Sequence, residues 1–157
     1  MQKHNIGLAG LALALLLAGC GKSLTFAPEL GIDLSQFRET QTGLYIEDVT
    51  VGTGQEAMSG DTVFINYTAY FVNGVKLDST EGRSPFRFVL DSGDVILGVN
   101  EGVTGMKVGG ERKLVIPPDL GYGFSDVQRD STWIPGGSTL VYDITLVDLH
   151  RPKATTG

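Results

Sequence analysis

The sequence predicts an α+β domain in which an antiparallel sheet curls over one short helix, preceded by a signal peptide and a tether. Three observations lead to this prediction. The first 19 residues combine a basic start with an apolar run, six later segments are rich in β-branched and aromatic residues, and one segment between them has apolar residues at helical spacing. A chain of 157 residues has room for one such domain and a tail.

Composition excludes several classes of function. The chain has 12 Lys and Arg against 18 Asp and Glu, a formal net charge of -6. We therefore expect no nucleic-acid partner, because phosphates require clustered basic side chains. One cysteine and two histidines exclude an internal disulfide and a Cys/His zinc site. The chain also lacks a phosphate loop and a Gly-x-Ser-x-Gly elbow, so we expect neither a metal nor another cofactor.

Residues 1–19 have the composition of a signal peptide. No charged residue lies between Lys3 and Lys22, and the apolar run is shorter than the roughly 20 residues that a membrane span needs. The run ends in Leu17-Ala18-Gly19-Cys20, which resembles a bacterial lipobox. This resemblance implies cleavage before Cys20 and acylation of its sulfur and new amine, which would anchor the protein durably to a membrane. An ordinary signal peptide with a chance cysteine is the alternative.

Residues 20–43 are predicted to form a lipidated tether, because they lack sustained strand or helix periodicity. One short element is expected around residues 32–37. The resemblance to a lipobox implies the bacterial cell envelope as the location. In a host with two membranes, Gly21 rather than Asp after the cysteine resembles the outer-membrane sorting class, which implies the outer membrane facing the periplasm.

The domain itself is predicted over residues 44–150, followed by a C-terminal tail at 151–157. Six segments rich in Val, Ile, Tyr, Phe and Thr predict strands at residues 44–51, 61–72, 75–78, 86–90, 111–116 and 140–149. Between the second and third, Asn73-Gly74 predicts a tight hairpin turn, because both residues tolerate a positive φ. Alternate residues of the last strand share one face: Leu140, Tyr142, Ile144 and Leu146.

One segment departs from the strand pattern. Ile96, Val99, Val103 and Met106 recur at helical spacing, which predicts a short amphipathic helix. The segment also contains three glycines, each of which weakens a helix by about 1 kcal/mol relative to alanine. We therefore expect a brief helix held by packing against the sheet, the arrangement of an α+β domain.

Several short motifs follow one another in a fixed order. They are Asn73-Gly74-Val75-Lys76-Leu77-Asp78-Ser79-Thr80, Pro85-Phe86-Arg87-Phe88, Val95-Ile96-Leu97-Gly98, Glu101-Gly102-Val103, Met106-Lys107-Val108-Gly109-Gly110-Glu111-Arg112, Ile116-Pro117-Pro118, Leu120-Gly121-Tyr122-Gly123, Ile134-Pro135 and Leu140-Val141-Tyr142-Asp143. In this order and spacing, over about residues 44–149, the chain resembles the FK506-binding-protein (FKBP) family of peptidyl-prolyl isomerases. The resemblance implies an antiparallel sheet of five or six strands wrapped on one short helix, in agreement with the periodicity.

The resemblance also implies an enzyme that rotates X–Pro peptide bonds in proline-containing polypeptides. Unaided rotation crosses a barrier of about 18–20 kcal/mol, but no bond breaks, so the chemistry requires neither a nucleophile nor a metal. An apolar pocket that strips water from the planar amide favours its less dipolar twisted form. Fixed hydrogen-bond donors can favour the transition state further.

By the same resemblance, each site residue has an expected role. The pocket for the proline ring would be lined by Tyr67, Phe86, Val95, Ile96 and Tyr142. The Ile96 N–H and the Tyr122 hydroxyl would bond substrate carbonyls. Asp78 would orient Tyr67 and polarise the site, while Trp133 and Ile134 would form the rim. Taken singly, the aromatic and aliphatic residues would be ordinary core residues, and Asp78 would simply end a hairpin.

Three positions depart from the family pattern. Val99 stands where the family usually has a tryptophan as the pocket floor, which removes about 1–3 kcal/mol of apolar contact. Leu77 replaces the phenylalanine that usually precedes the pocket aspartate. Residues 124–133 form a longer and more polar flap, with Arg129 and Asp130 in it. These changes leave the fold intact but predict a lower catalytic rate and a reduced affinity for FK506- or rapamycin-like macrolides.

Two functions compete on these observations. An enzyme acting on exported polypeptides is favoured by the near-complete pocket. A chaperone or binding module of the same fold, with weak or no isomerase turnover, is favoured by Val99 and the polar flap. An inert envelope spacer fits poorly with the presence of Asp78 and Tyr122.

Overall fold

The structure is a computed structural model that describes residues 24–153. The predicted signal peptide and the predicted lipidation site at Cys20 lie outside the described residues. Within them, one α-helix and an antiparallel sheet confirm the predicted α+β class. No helix of residues 24–153 combines the length and the apolar character that crossing a bilayer requires.

The main sheet has seven strands and is antiparallel throughout. In chain order its strands are β1 Arg38–Glu39, β2 Tyr45–Thr50, β3 Thr62–Phe71, β4 Lys76–Ser79, β5 Phe86–Val89, β6 Glu111–Ile116 and β9 Leu140–His150. The remaining two strands, β7 Val127–Arg129 and β8 Thr132–Ile134, form a separate hairpin between β6 and β9. Their order across the sheet is β1-β2-β6-β9-β3, and the far edge of β3 is shared by β5 and β4. The six predicted strands are all present, with no end shifted by more than one residue.

The helix α1, Leu97–Val103, lies on the inner face of this sheet. Val99, Val103 and Met106 are buried in the main core, as the helical spacing predicts. The helix itself ends at Val103, so Met106 reaches the core from the turn that follows. The predicted inward face of β9 is also confirmed, since Leu140, Tyr142, Ile144 and Leu146 are all buried there.

Two glycines let α1 lie directly on β6. A Cβ atom added at Gly98 would stand 2.5 Å from Ile116 Cγ2, and one added at Gly102 would overlap the Leu114 side chain. Real atoms cannot approach so closely, so any larger residue would push the helix away from the sheet. The glycines that weaken the helix by propensity therefore permit its packing.

One buried arginine fastens the end of the helix to the sheet. Arg112 on β6 donates from Nη1 to the Gly102 carbonyl at 2.9 Å, one of the carbonyl groups that the helix leaves without an internal donor. Its Nε donates to Asp48 Oδ1 on β2 at 2.6 Å. The positive charge at the helix C-terminus is favourable for the helix dipole, and the carboxylate compensates its burial.

The outer face of the sheet is covered by the segment that we expected to be a free tether. Leu30 is buried there against Tyr45, Val115 and Val141, and the segment's side chains from Phe26 to Phe37 pack around them. The structure thus differs from the prediction for residues 26–37. Val115 and Val141 point away from the helix, so the outer face of the sheet is apolar and must be buried by another segment. Residues 26–37 bury it, although their sequence has no regular apolar spacing that would predict this packing.

Hydrogen bonds to backbone carbonyl groups hold this segment in place. The Ala27 N–H donates to the Val72 carbonyl at 2.8 Å, and Lys113 Nζ donates to the Leu30 carbonyl at 2.8 Å. Two single-turn 3-10 helices, Pro28–Leu30 and Leu34–Gln36, form here. The second falls within the short element expected at residues 32–37.

Arg151, assigned to the C-terminal tail, also contacts the domain. Its guanidinium donates to both carboxylate oxygens of Asp61, at 2.8 and 2.6 Å, and Asp61 is only 1% exposed. These hydrogen bonds lower the pKa of Asp61 below its ordinary value. A buried carboxylate needs such a partner, so the structured domain extends at least to this residue.

We predict that Gly102→Ala lowers the free energy of unfolding by about 1–2 kcal/mol, although alanine is the better helix former by about 1 kcal/mol. The added methyl group would overlap Leu114. Urea denaturation measures the change.

The control for this prediction is the same substitution in a Leu114→Ala background. There the overlap is gone, so Gly102→Ala should be neutral or stabilising. A Gly102→Ala chain as stable as wild type, or an equal loss in both backgrounds, would contradict the packing argument.

Candidate functional site

A pocket of about 520 Å³ opens where the start of α1 faces the β7–β8 hairpin. Its floor and walls come from α1, β3, β4, β5 and β9, and the hairpin forms one side of its mouth. Ten residues expected in the site line it: Tyr67, Leu77, Asp78, Phe86, Val95, Ile96, Val99, Tyr122, Ile134 and Tyr142. The structure therefore brings together residues that are up to 75 positions apart in the chain, from Tyr67 to Tyr142.

Three aromatic rings form the apolar wall of the pocket. Tyr67 and Tyr142 lie on the neighbouring strands β3 and β9, and their rings stack at 5.7 Å with an interplanar angle of 24°. Phe86 on β5 meets the Tyr67 ring edge to face at 6.0 Å. This arrangement leaves a ring-sized apolar space bounded by fixed side chains.

Asp78 is the acid at the edge of this wall. Its Oδ2 accepts a hydrogen bond from the Tyr67 hydroxyl at 2.6 Å, and its Oδ1 accepts one from the Ser79 N–H at 2.7 Å. The nearby Arg83 guanidinium lies 3.8 Å from Oδ1 on an exposed side chain, so this ion pair contributes little. Tyr67 is thus held at a fixed angle by the carboxylate across the β3–β4 hairpin.

Burial keeps the pocket phenols protonated. The pKa of Tyr67 is raised by its burial and by its hydrogen bond to the negative Asp78. Burial likewise raises the pKa of Tyr142, with a further contribution from the Tyr122 phenol. At neutral pH both side chains therefore present neutral hydroxyl groups.

The start of α1 supplies the pocket floor and a backbone donor. Val99 is 4% exposed and lies at the bottom of the pocket, the position at which the sequence led us to expect a floor residue. Ile96 caps the helix with extended backbone angles. At this end of a helix the first N–H groups have no intrahelical acceptor, so the Ile96 N–H is available to a ligand.

Arg129 enters the site from the β7–β8 hairpin. Its Nη1 donates to the Tyr122 hydroxyl oxygen at 2.8 Å, and its guanidinium carbon lies 5.8 Å from the Tyr122 ring centre. Because the oxygen accepts this bond, the Tyr122 proton remains free for another acceptor. Sequence reasoning noted Arg129 only as part of a polar flap. The hairpin that carries Arg129 was not predicted. The available signal was the polar pair Asp130-Ser131, a typical turn sequence, followed by the β-prone run Thr132-Trp133-Ile134.

Trp133 is placed differently from the prediction. It is 55% exposed and does not line the pocket. Its neighbours Thr132 and Ile134 on β8 do line the pocket, and successive side chains of a strand point to opposite faces. Trp133 therefore faces the far side of the hairpin, and Ile134 alone of the two expected rim residues reaches the site.

The mouth of the pocket is more polar than its floor. Charged side chains that the sequence did not single out surround it: Lys76, Glu81, Arg83 and Asp94. Among residues 24–153, no three His, Cys, Asp or Glu side chains are grouped so that they could hold a metal ion. The site is thus a pocket with an aromatic and aliphatic wall, with hydroxyl and backbone donors beside that wall and charged side chains at its mouth.

Comparison with known protein families supports this description. The sequence model for the FKBP-type peptidyl-prolyl cis-trans isomerase family matches residues 53–147. An FK506-binding protein of Neisseria meningitidis is 40% identical over 110 residues, which cover 69% of this chain and 98% of that protein. FK506-binding protein 4 of Chaetomium thermophilum is 40% identical over 122 residues, covering 78% of this chain but only 23% of that longer protein.

Solved structures give the same result. FkpA from Escherichia coli matches 74% of this chain and 52% of its own, with 38% identity and a TM-score of 0.67. AtFKBP13 matches 73% of this chain and 98% of its own, with 32% identity and a TM-score of 0.66.

Proposed function

The chain belongs to the family of FKBP-type peptidyl-prolyl cis-trans isomerases, and from this premise we propose that it accelerates X–Pro rotation in exported proteins while a lipid on Cys20 holds it at a membrane. The observation that carries the enzymatic part is the Tyr67–Asp78 hydrogen bond of 2.6 Å beside the aromatic wall of a pocket of about 520 Å³. The anchoring part rests on the Leu17-Ala18-Gly19-Cys20 sequence.

The proposed chemistry is a rotation and not a bond cleavage. A planar amide resists twisting by about 18–20 kcal/mol, because twisting removes its partial double bond. The twisted amide is less dipolar than the planar one, so a pocket that replaces water by apolar walls disfavours the planar ground state. Each 1.4 kcal/mol of difference between the two states changes the rate about ten-fold.

In this proposal the proline ring lies against the wall formed by the Tyr67, Phe86 and Tyr142 rings, above Val99. The Ile96 N–H and the Tyr122 hydroxyl bond carbonyl groups of the substrate on either side of the ring. These donors are fixed before the substrate arrives, so they need no reorganisation during the twist.

Arg129 strengthens one of those donors. The Tyr122 oxygen already accepts a hydrogen bond from the Arg129 guanidinium, and this bond orients the hydroxyl proton towards the pocket. A positive charge on the oxygen side also makes the hydroxyl a stronger donor. This contact gives the polar flap a role in turnover, whereas the sequence suggested only a lower rate.

A binding module without useful turnover is the second candidate. The small floor residue Val99 and the charged mouth formed by Lys76 and Glu81 favour it, because a wide, polar-edged pocket can hold a segment without twisting it. The same two features support a reduced affinity for FK506- or rapamycin-like macrolides in this chain.

We predict that the wild-type protein accelerates the proline-limited refolding of an unfolded protein, and that Asp78→Ala reduces kcat/KM about ten- to a hundred-fold. The substitution removes a charged acceptor and leaves the Tyr67 hydroxyl unheld, a loss of about 1.5–3 kcal/mol for a hydrogen bond to a charged group. The refolding rate is followed by the fluorescence of the substrate protein.

Asp148→Ala is the matched control, because Asp148 is an exposed carboxylate on β9 outside the pocket. It should leave the refolding rate unchanged. No acceleration by wild type, with suppression of aggregation retained, would favour the binding module. Equal acceleration by wild type and Asp78→Ala would contradict the site assignment.

We predict that Arg129→Met reduces kcat about three- to ten-fold with a smaller effect on KM, since the substitution weakens a donor that acts in the transition state. Arg87→Met on the exposed side of β5 is the control, because Arg87 does not line the pocket. A change confined to KM would show that Arg129 binds substrate and does not tune Tyr122.

For the anchor, we predict that the full-length chain expressed in a bacterium fractionates with membranes and that Cys20→Ser releases it. Two or more acyl chains give durable anchoring, and without a lipidated cysteine none are present. Flotation of membranes followed by detection of the protein measures the effect. Continued membrane association of Cys20→Ser would contradict the anchor.

A further inference from the structure

A second cavity lies on the far side of the β7–β8 hairpin from the pocket. Its volume is about 440 Å³, and we call it the Trp133 groove. Its lining consists of Leu24, Phe71, Val72, Asn73, Val75, Trp133, Pro135, Gly137, Ser138 and Thr139. None of these residues is charged. Trp133 and Val75 are each 55% exposed at its edge, so the groove presents an apolar, aromatic surface.

The groove lies close, along the chain, to the predicted lipid attachment site. Leu24, the first residue that the structure describes, forms part of its lining. Cys20 is only four residues earlier, so the two are at most about 14 Å apart along a fully extended chain.

This short connection follows from the packing of the expected tether. The segment from Phe26 to Phe37 covers the outer face of the sheet, so it cannot act as a spacer. A lipid on Cys20 would then hold the domain itself close to the bilayer surface. The headgroup region of one leaflet is about 5–8 Å thick, which is less than the reach of the four residues.

We propose that the Trp133 groove is a membrane-docking surface, which rests in the interfacial region of the bilayer to which Cys20 is anchored. The inference rests on the anchoring part of the proposed function. Tryptophan suits this depth, because its ring is apolar and its N–H can remain among polar headgroups. Because no lining residue of the groove is charged, placing this surface against lipid does not require a charged side chain to lose its water.

The proposal fixes the orientation of the active pocket. Trp133 and its neighbours Thr132 and Ile134 point to opposite faces of β8, and the latter two line the pocket. With the groove against the bilayer, the pocket opens away from it on the other side of the hairpin. Unfolded polypeptides can then reach the Tyr67 wall from the aqueous phase.

The attraction would be apolar and not electrostatic. The chain carries a formal net charge of -6, so anionic lipids repel it as a whole. Docking by apolar contact near a lipid anchor should therefore persist in high salt, unlike binding through basic side chains.

The chain offers a direct probe, because Trp133 is its single tryptophan. The mature lipidated protein, purified after expression of the full-length chain, is reconstituted into phosphatidylethanolamine–phosphatidylglycerol vesicles, with or without lipids brominated near the headgroup end of the acyl chains. We expect the Trp133 emission to shift to the blue, to become protected from acrylamide, and to lose about half its intensity with the brominated lipids, in low and in high salt.

Two variants of equal exposure test the surface. Val75→Glu places a charge at the edge of the groove and should reduce quenching by brominated lipids at least about two-fold, whereas Val49→Glu on β2 should not. Val49 is a matched control, because it is 56% exposed against 55% for Val75 and lies outside the groove. Circular dichroism confirms that both variants fold.

Several outcomes would overturn the proposal, and they are distinguishable. A wild-type chain that does not float with the vesicles refutes the anchor and the docking surface together. A chain that floats while Trp133 stays accessible to acrylamide refutes the docking surface alone. Protection of Trp133 by an unfolded proline-containing polypeptide, with no effect of the bilayer, would instead assign the groove to substrate. Equal quenching in Val75→Glu and wild type would also refute it.

Discussion

The close approach of α1 to β6 is the constraint on which the rest of the molecule depends. Gly98 and Gly102 have no side chains to separate helix and sheet, so Leu114 and Ile116 pack directly against the helix backbone. The helix is only seven residues long, too short to be stable by itself, and this packing holds it. Arg112 then fixes its C-terminal end, which leaves its N-terminal end at a defined place in the pocket.

From that position the helix organises the site. Its first residues supply the Val99 floor and the Ile96 N–H, while strands of the sheet bring the aromatic wall to meet them. Beside the aromatic wall, two hydrogen bonds fix polar side chains, Tyr67 with Asp78 and Tyr122 with Arg129. Such a site suits a reaction whose barrier lies in a change of dipole and shape, because it needs fixed surroundings more than reactive groups.

The two faces of the sheet are covered by different parts of the chain. The inner face carries the helix and the pocket, and the outer face is covered by the segment around Leu30. This cover shortens the connection to Cys20 and brings Leu24 beside Trp133. Strand β8 separates the two cavities, because Ile134 lines the pocket and Trp133 lines the groove proposed to face the membrane.

The sequence by itself determined the α+β class, the six main strands, the Asn73-Gly74 turn and the ten residues that gather in the pocket. The class, the strands and the turn follow from periodicity and turn residues, which are local properties of the chain, and the pocket residues follow from the resemblance that the ordered motifs carry. It misassigned residues 26–37 as a tether and Trp133 as a rim residue, and it gave no partner for Arg129, which contacts Tyr122. Only the tertiary structure decided these points, because each depends on which face of a strand is already covered and which side chain lies across from it. Periodicity reports that a residue is apolar or polar, whereas its partner is set by the packing of distant segments.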